Sequence, residues 1–141
     1  MVKSGLYAST KRKSSADYWR QQRVLIAGGT SGFGLVLAKL LSRLGASVMV
    51  IGRSAERVRN AMVQCDAEAD NAGHSKNRVQ GITADLSQNG EGNRVAAHCI
   101  DKLGGCDSFF FCIGQSSRSL VLKLTPQEIR SSLDANLMTA I

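Results

Sequence analysis

Apolar residues in this chain come by turns as short unbroken runs and as stripes at three- and four-residue steps, a pattern that predicts strands alternating with helices. Residues 24–27, Val-Leu-Ile-Ala, form the first run, as in a parallel strand buried on both faces. Phe33, Val36, Leu37, Leu40, Leu41 and Leu44 then recur at helical spacing, which predicts a helix with all six on its buried face and Gly45 as its stop. Residues 48–51 read as a second buried strand, followed by a helix that starts near Ser54 and buries Val58, Met62, Cys65 and Ala69. A polar loop covers 70–78, and residues 79–84 alternate as an edge strand would. Val95, Ala96, Cys99, Ile100 and Leu103 make another apolar face, closed by Gly104 and Gly105. The continuous run at 108–113 predicts a central fourth strand.

Thr125-Pro126-Gln127-Glu128 is a capping box with proline at the first helical position. The helix it opens is expected to bury Ile129, Leu133, Leu137 and Ala140. Asn136 falls on the same stripe, where an amide needs partners. Met138 and Ile141 keep the pattern apolar to the last residue, so it reads as a helix cut short. Together these elements predict an α/β protein: four parallel strands in the order 3-2-1-4, joined by right-handed crossovers with helices on both faces.

The first strand and first helix meet at Gly28, Gly29, Gly32 and Gly34. A helix start has unpaired N–H groups and partial positive charge, so an anion brought close to it is stabilised. Gly28 permits a sharp exit from the strand, Gly32 a close approach of a pyrophosphate to the backbone, and Gly34 tight packing of helix on strand. Thr30 and Ser31 place hydroxyls on the same rim, beside Phe33. A glycine-rich turn without a ligand is the plain alternative.

Composition narrows the setting. The 141 residues suffice for one domain, and 43% hydrophobic with 21% charged residues is ordinary for a globular protein. The net charge of +7 suggests nucleic acid until it is located: residues 1–23 carry +5 of it, in a serine- and lysine-rich stretch. The expectation is a basic flexible tail over 1–20, disordered to about Ala16, ahead of a domain at 21–141 whose packing begins around Tyr18 and Trp19. Cys65, Cys99, Cys106 and Cys112 have no metal-ligand spacing, and His74 and His98 are scattered, so no metal site is expected and the thiols read as reduced. No run reaches the ~20 apolar residues of a membrane span. A cytoplasmic location is expected, with a mitochondrial presequence left open by the basic N-terminus.

The stretch Ala27–Gly34, AGGTSGFG, resembles the TGxxxGxG loop of the short-chain dehydrogenases/reductases, with Ala27 in place of the usual threonine. The resemblance implies a Rossmann-like doubly wound parallel sheet, here truncated after the fourth strand and its following helix, and an NADP(H) cofactor. Arg53 lies 19 residues after Gly34, where dinucleotide folds place the residue that meets the adenine ribose. A guanidinium there binds a 2′-phosphate, whereas an acid would repel it, so NADP is preferred to NAD, with Ser54 beside it. Arg53 as a plain solvated residue is the alternative. The family's acidic-aliphatic pair at the adenine corresponds to Asp85 and Leu86, although Asp85 also suits a turn cap. Residues 111–114, Phe-Cys-Ile-Gly, fall where the family reads NNAG, and Gly114 alone matches. DANL at 134–137 resembles the segment whose asparagine holds a water next to the catalytic lysine, which makes Asn136 the one catalytic candidate.

Tyr7 and Lys11 fit the family's Y-x-x-x-K pair, but they precede the first strand, far from that pair's usual place, and are not assigned to it. The expected activity is hydride transfer between NADPH and a small-molecule carbonyl or alcohol, by a chain inactive alone because the catalytic Ser, Tyr and Lys are not in it. A non-catalytic NADP-binding module, or a subunit completed by a partner, is the alternative, and a basic tail binding RNA or an acidic partner is a third. No nucleic acid and no membrane span are expected, and a homo-oligomer is expected in the full-length form.

Overall fold

The computed structural model describes residues 14–75, 78–114 and 123–136. Tyr7 and Lys11, most of the basic tail, and Leu137, Met138, Ala140 and Ile141 lie outside the described residues. Four parallel strands form one sheet: β1 (Arg23–Ala27), β2 (Ser47–Gly52), β3 (Val79–Thr83) and β4 (Ser108–Phe111). Their order is β3-β2-β1-β4, as the alternating pattern predicts, and the crossovers are helical. β1 pairs with β2 from Arg23 opposite Ser47 to Ala27 opposite Ile51, and with β4 from Val24 opposite Ser108 to Ala27 opposite Phe111.

Because side chains alternate along a strand, β1 and β2 feed two cores. Val24, Ile26, Val48 and Val50 point to one face, where α2 (Gly32–Arg43) and α3 (Ala55–Asn71) cover them with Ala38, Leu41, Val58, Ala61 and Cys65. Leu25, Ala27, Met49 and Ile51 point to the other, under Val95 and Cys99 of α4 (Glu91–Leu103). The sheet is therefore doubly wound. α3 approaches β3 closely at Gly81, where a Cβ would meet Val58 Cγ1 at 2.5 Å and Met62 Sδ at 2.6 Å. Among the described residues, no helix is long and apolar enough to cross a membrane.

Five expectations need correction, one of them in α4, where Ala96 and Ile100 are exposed and only Val95 and Cys99 of the expected face are buried. The buried face of α2 carries Gly34, Ala38, Leu41 and Ser42, while Phe33, Val36 and Leu40 are exposed at 74%, 64% and 51%. Small residues let this helix sit close to the sheet, so they face inward although larger apolar side chains lie around the rim. β4 is an edge strand among the described residues, with Phe109 51% exposed, and not a central one. Ile129 and Leu133 of α5 (Pro126–Asn136) are exposed at 47% and 53%, so this helix does not bury the stripe assigned to it, and Asn136 is exposed too. Finally, helix α1 (Ser15–Trp19) begins within the stretch expected to be disordered to Ala16, capped by Ser14 and Asp17. Its Trp19 packs on the core, with its ring 6.5 Å from that of Phe110.

Candidate nucleotide-binding site

The carboxyl ends of parallel strands are where ligands enter doubly wound sheets, because the strand-to-helix turns open there. Here the β1–α2, β2–α3 and β3–α4 turns, the end of β4 and one face of α5 enclose a cleft of about 740 Å³. Ten of the eleven residues expected to hold a nucleotide line it: Gly28, Thr30, Ser31, Gly32, Phe33, Arg53, Ser54, Asp85, Leu86 and Gly114.

The eleventh, Gly34, is buried beneath the cleft, where a methyl group would collide with the Gly28 carbonyl. Gly28 has φ +77°, and its N–H and that of Gly29 both donate to the Ile51 carbonyl, at 3.0 and 3.2 Å. The chain thus turns sharply off β1 while staying tied to β2. Gly32 opens α2 with φ +52°, and a Cβ there would meet nothing within 4 Å among the described residues. The first N–H groups of α2 need partners from outside the helix. Ser31, the N-cap, makes no side-chain hydrogen bond to them, and the space above is open. Residues 28–34 therefore fit a diphosphate. Thr30 is fixed by Gly52, whose missing side chain leaves room for it: a Cβ at 52 would lie 2.6 Å from Thr30 Cγ2.

On the opposite wall, Ser54 caps α3 by accepting from the Arg57 N–H at 3.4 Å. This cap puts Arg53 just before the helix and Arg57 one turn into it, both exposed and both on the cleft. Neither joins an ion pair among the described residues. Asp85 accepts from the Ser87 hydroxyl at 2.7 Å and the Ser87 N–H at 3.1 Å. Those two bonds hold its carboxyl below the usual range, and the Arg53 charge adds to them. Asp85 thus caps a turn and borders the cleft at once. Asn136 does not line the cleft, but its Oδ1 lies 3.0 Å from where a Cβ of Gly114 would be, and its amide donates to the Ser132 carbonyl at 2.7 Å.

The structure adds residues that sequence reading passed over. Arg57 carries a visible signal, a second arginine four residues after Arg53 at a helix start. Ser131 and Asp134 reach the cleft from α5, and Cys112 and Ile113 from the end of β4. Cys112 and Ile113 lie in the 111–114 stretch aligned with the family's NNAG, and Asp134 opens the DANL segment, but none was singled out as lining a site; Ser131 carried no signal.

A parallel sheet wound on both faces, with its first strand running into a glycine-lined helix start, is the dinucleotide-binding class of α/β architecture. Residues 22–141 match the family model of the short chain dehydrogenases, and the chain belongs to that family. It is 32% identical over 125 residues to the 3-ketodihydrosphingosine reductase TSC10 of Cryptococcus neoformans var. neoformans, covering 87% of this chain and 36% of the reductase. It is 33% identical over 114 residues to the cis-2,3-dihydrobiphenyl-2,3-diol dehydrogenase of Paraburkholderia xenovorans, covering 81% and 36%. Among solved structures, a short chain dehydrogenase from Bacillus anthracis superposes with a TM-score of 0.76 at 18% identity, covering 86% of this chain and 46% of that one. The chain spans about a third of the length of these curated relatives and under half of that structure.

Proposed function

We propose that this chain is the NADP(H)-binding part of a short-chain dehydrogenase/reductase that moves hydride between NADPH and a carbonyl or alcohol. One observation carries the proposal: the space over Gly32 at the start of α2, open among the described residues, shares one cleft with two guanidinium groups. The amides at the start of α2 and the hydroxyls of Thr30 and Ser31 hold the diphosphate. Arg53, seconded by Arg57, takes the 2′-phosphate, which a planar fork binds through paired hydrogen bonds. Asp85 and Leu86 border the adenine, and Gly114 leaves room at the nicotinamide side. Bound there, the dinucleotide supplies or accepts hydride at its nicotinamide ring. Asn136 takes the family's place for the residue that orders a water beside the catalytic lysine, and its Ser132 bond holds it next to Gly114.

The family's Ser, Tyr and Lys have no assigned counterpart in these residues, so the 141-residue chain on its own binds without turning over. The matching relatives include 3-ketodihydrosphingosine reductases, which makes a long-chain 3-keto base the first carbonyl to try. The test is calorimetric titration of the chain with NADPH and NADH, followed by an assay of NADPH oxidation with that carbonyl. Tighter binding of NADPH without oxidation above background is expected. Equal affinity for the two nucleotides, or measurable oxidation, would contradict the proposal.

A further inference from the structure

Away from the cleft, two thiols converge where α4 hands over to β4. Cys99 lies in the last turn of α4 and is 1% exposed, while Cys106, past the end of the helix, is exposed. Between them Gly104 and Gly105 adopt φ of +77° and +146°, conformations that glycine reaches readily and side chains resist. This reversal folds Cys106 back onto the helix. The Cys99 thiol donates at 3.5 Å to the carbonyl of Gly105, which belongs to the peptide bond that carries Cys106. The Cys106 thiol donates to the Ser108 carbonyl at 3.3 Å and interacts with the neighbouring Cys99.

A cation stands beside the pair. Arg23 donates to the Gly104 carbonyl at 2.7 Å and is clamped by Asp107, which offsets part of its charge, yet it still acts on the Cys99 sulfur. Burial pushes the Cys99 thiol up to about 11, and the neighbouring Cys106 pushes it the same way. Cys99 is therefore the protected partner and Cys106 the accessible one. An exposed thiol with a second thiol behind it is the arrangement that intramolecular thiol–disulfide exchange uses.

We propose that Cys99 and Cys106 form a reversible dithiol site that a small-molecule disulfide oxidises to an intramolecular bond. Cys106, losing its proton to solvent, attacks one sulfur of the reagent, whose S–S bond breaks to release the first thiolate. Cys99, losing its proton in turn, attacks the Cys106 sulfur of the mixed disulfide and expels the second. Two electrons pass to the reagent, which leaves as two thiols, and the protein keeps one new S–S bond. The site is independent of the nucleotide cleft.

To test this, the full chain is equilibrated with oxidised and reduced glutathione, its remaining thiols are alkylated under denaturing conditions, and the trypsin digest is analysed by mass spectrometry. Cleavage after Arg94, Lys102 and Arg118 places Cys99 in fragment 95–102 and Cys106 in fragment 103–118. Cys112 shares the second fragment, so Cys112→Ser and Cys106→Ser chains are run in parallel. The expected result is a reducible link between the two fragments that survives Cys112→Ser and disappears in Cys106→Ser. A link that persists in Cys106→Ser, or a glutathione adduct on Cys106 with Cys99 still alkylated, would overturn the proposal.

Discussion

At the scale of single residues, Arg53 and Gly32 divide the work of the cleft between charge and space. Charge-assisted bonds to a phosphate contribute about 1.5–3 kcal/mol each, so Arg53→Glu is expected to weaken NADPH binding about tenfold to a hundredfold. NADH, lacking the 2′-phosphate, is expected to bind within about threefold of the original chain, since no contact of that size is removed. Titration of both nucleotides checks this, and parallel losses would argue that Arg53 shapes the loop and does not grip a phosphate. Arg53 was legible in the sequence because its distance from Gly34 is set by one helix and one strand. Arg57 was passed over although it lies one turn beyond Arg53 at the same helix start, because an arginine on a surface helix looks the same whether it faces solvent or a ligand. Cys112 and Ile113 stood in the stretch aligned with the family's NNAG, but that they line the cleft became visible only once β4 was seen to end there.

At the scale of elements, the β1–α2 junction depends on two glycines for different reasons. Gly34→Ala forces a methyl into the Gly28 carbonyl, backbone that cannot swing aside, so the helix must move off the strand. It is expected to lower the melting temperature by several degrees, as a loss of about 2 kcal/mol does in a domain of this size. Gly32→Ala meets no atoms among the described residues and carries only the strain of positive φ, about 1 kcal/mol, but it places a methyl over the helix start. Its expected signature is lost nucleotide binding with a melting temperature lowered only about half as far as in Gly34→Ala. Helix α2 also shows where pattern reading failed: hydrophobic spacing selected Phe33, Val36 and Leu40, but close approach to the sheet selected Gly34, Ala38 and Ser42. Size decides which face can come near a strand, and spacing alone does not encode it.

The strand ends carry a pH-dependent tie. Arg23, opening β1, donates to Asp107 at 2.6 and 2.8 Å just ahead of β4, and these bonds hold the Asp107 carboxyl at about 2, below its ordinary 3.8. A lowered carboxyl pKa stabilises the fold above the unfolded value, and that contribution fades as pH falls through the folded value. Asp107→Asn is therefore expected to melt at a lower temperature than the original chain at pH 7. The difference should shrink between pH 4 and pH 2. A gap that stays constant across that range, followed by circular dichroism, would show that the pair does not titrate as described.

At the scale of the whole molecule, strand order and the two-faced core were legible because runs and stripes alternate cleanly through Leu103. What lay beyond was less so. Phe109 and Phe110 look like core whether β4 is central or at an edge, and Ile129 and Leu133 look buried whether or not an element covers them. The central claim concerns the mouth of the sheet, where a helix start freed of side chains faces a pair of arginines across one cleft. It is tested most directly by following backbone amide resonances of the 15N-labelled chain during titration with NADPH. The account predicts the largest shifts at Gly32, Phe33 and Gly34, with Arg53 and Arg57 moving in step at the same midpoint. Shifts confined to residues away from the β1–α2 turn, or none at saturating nucleotide, would contradict it.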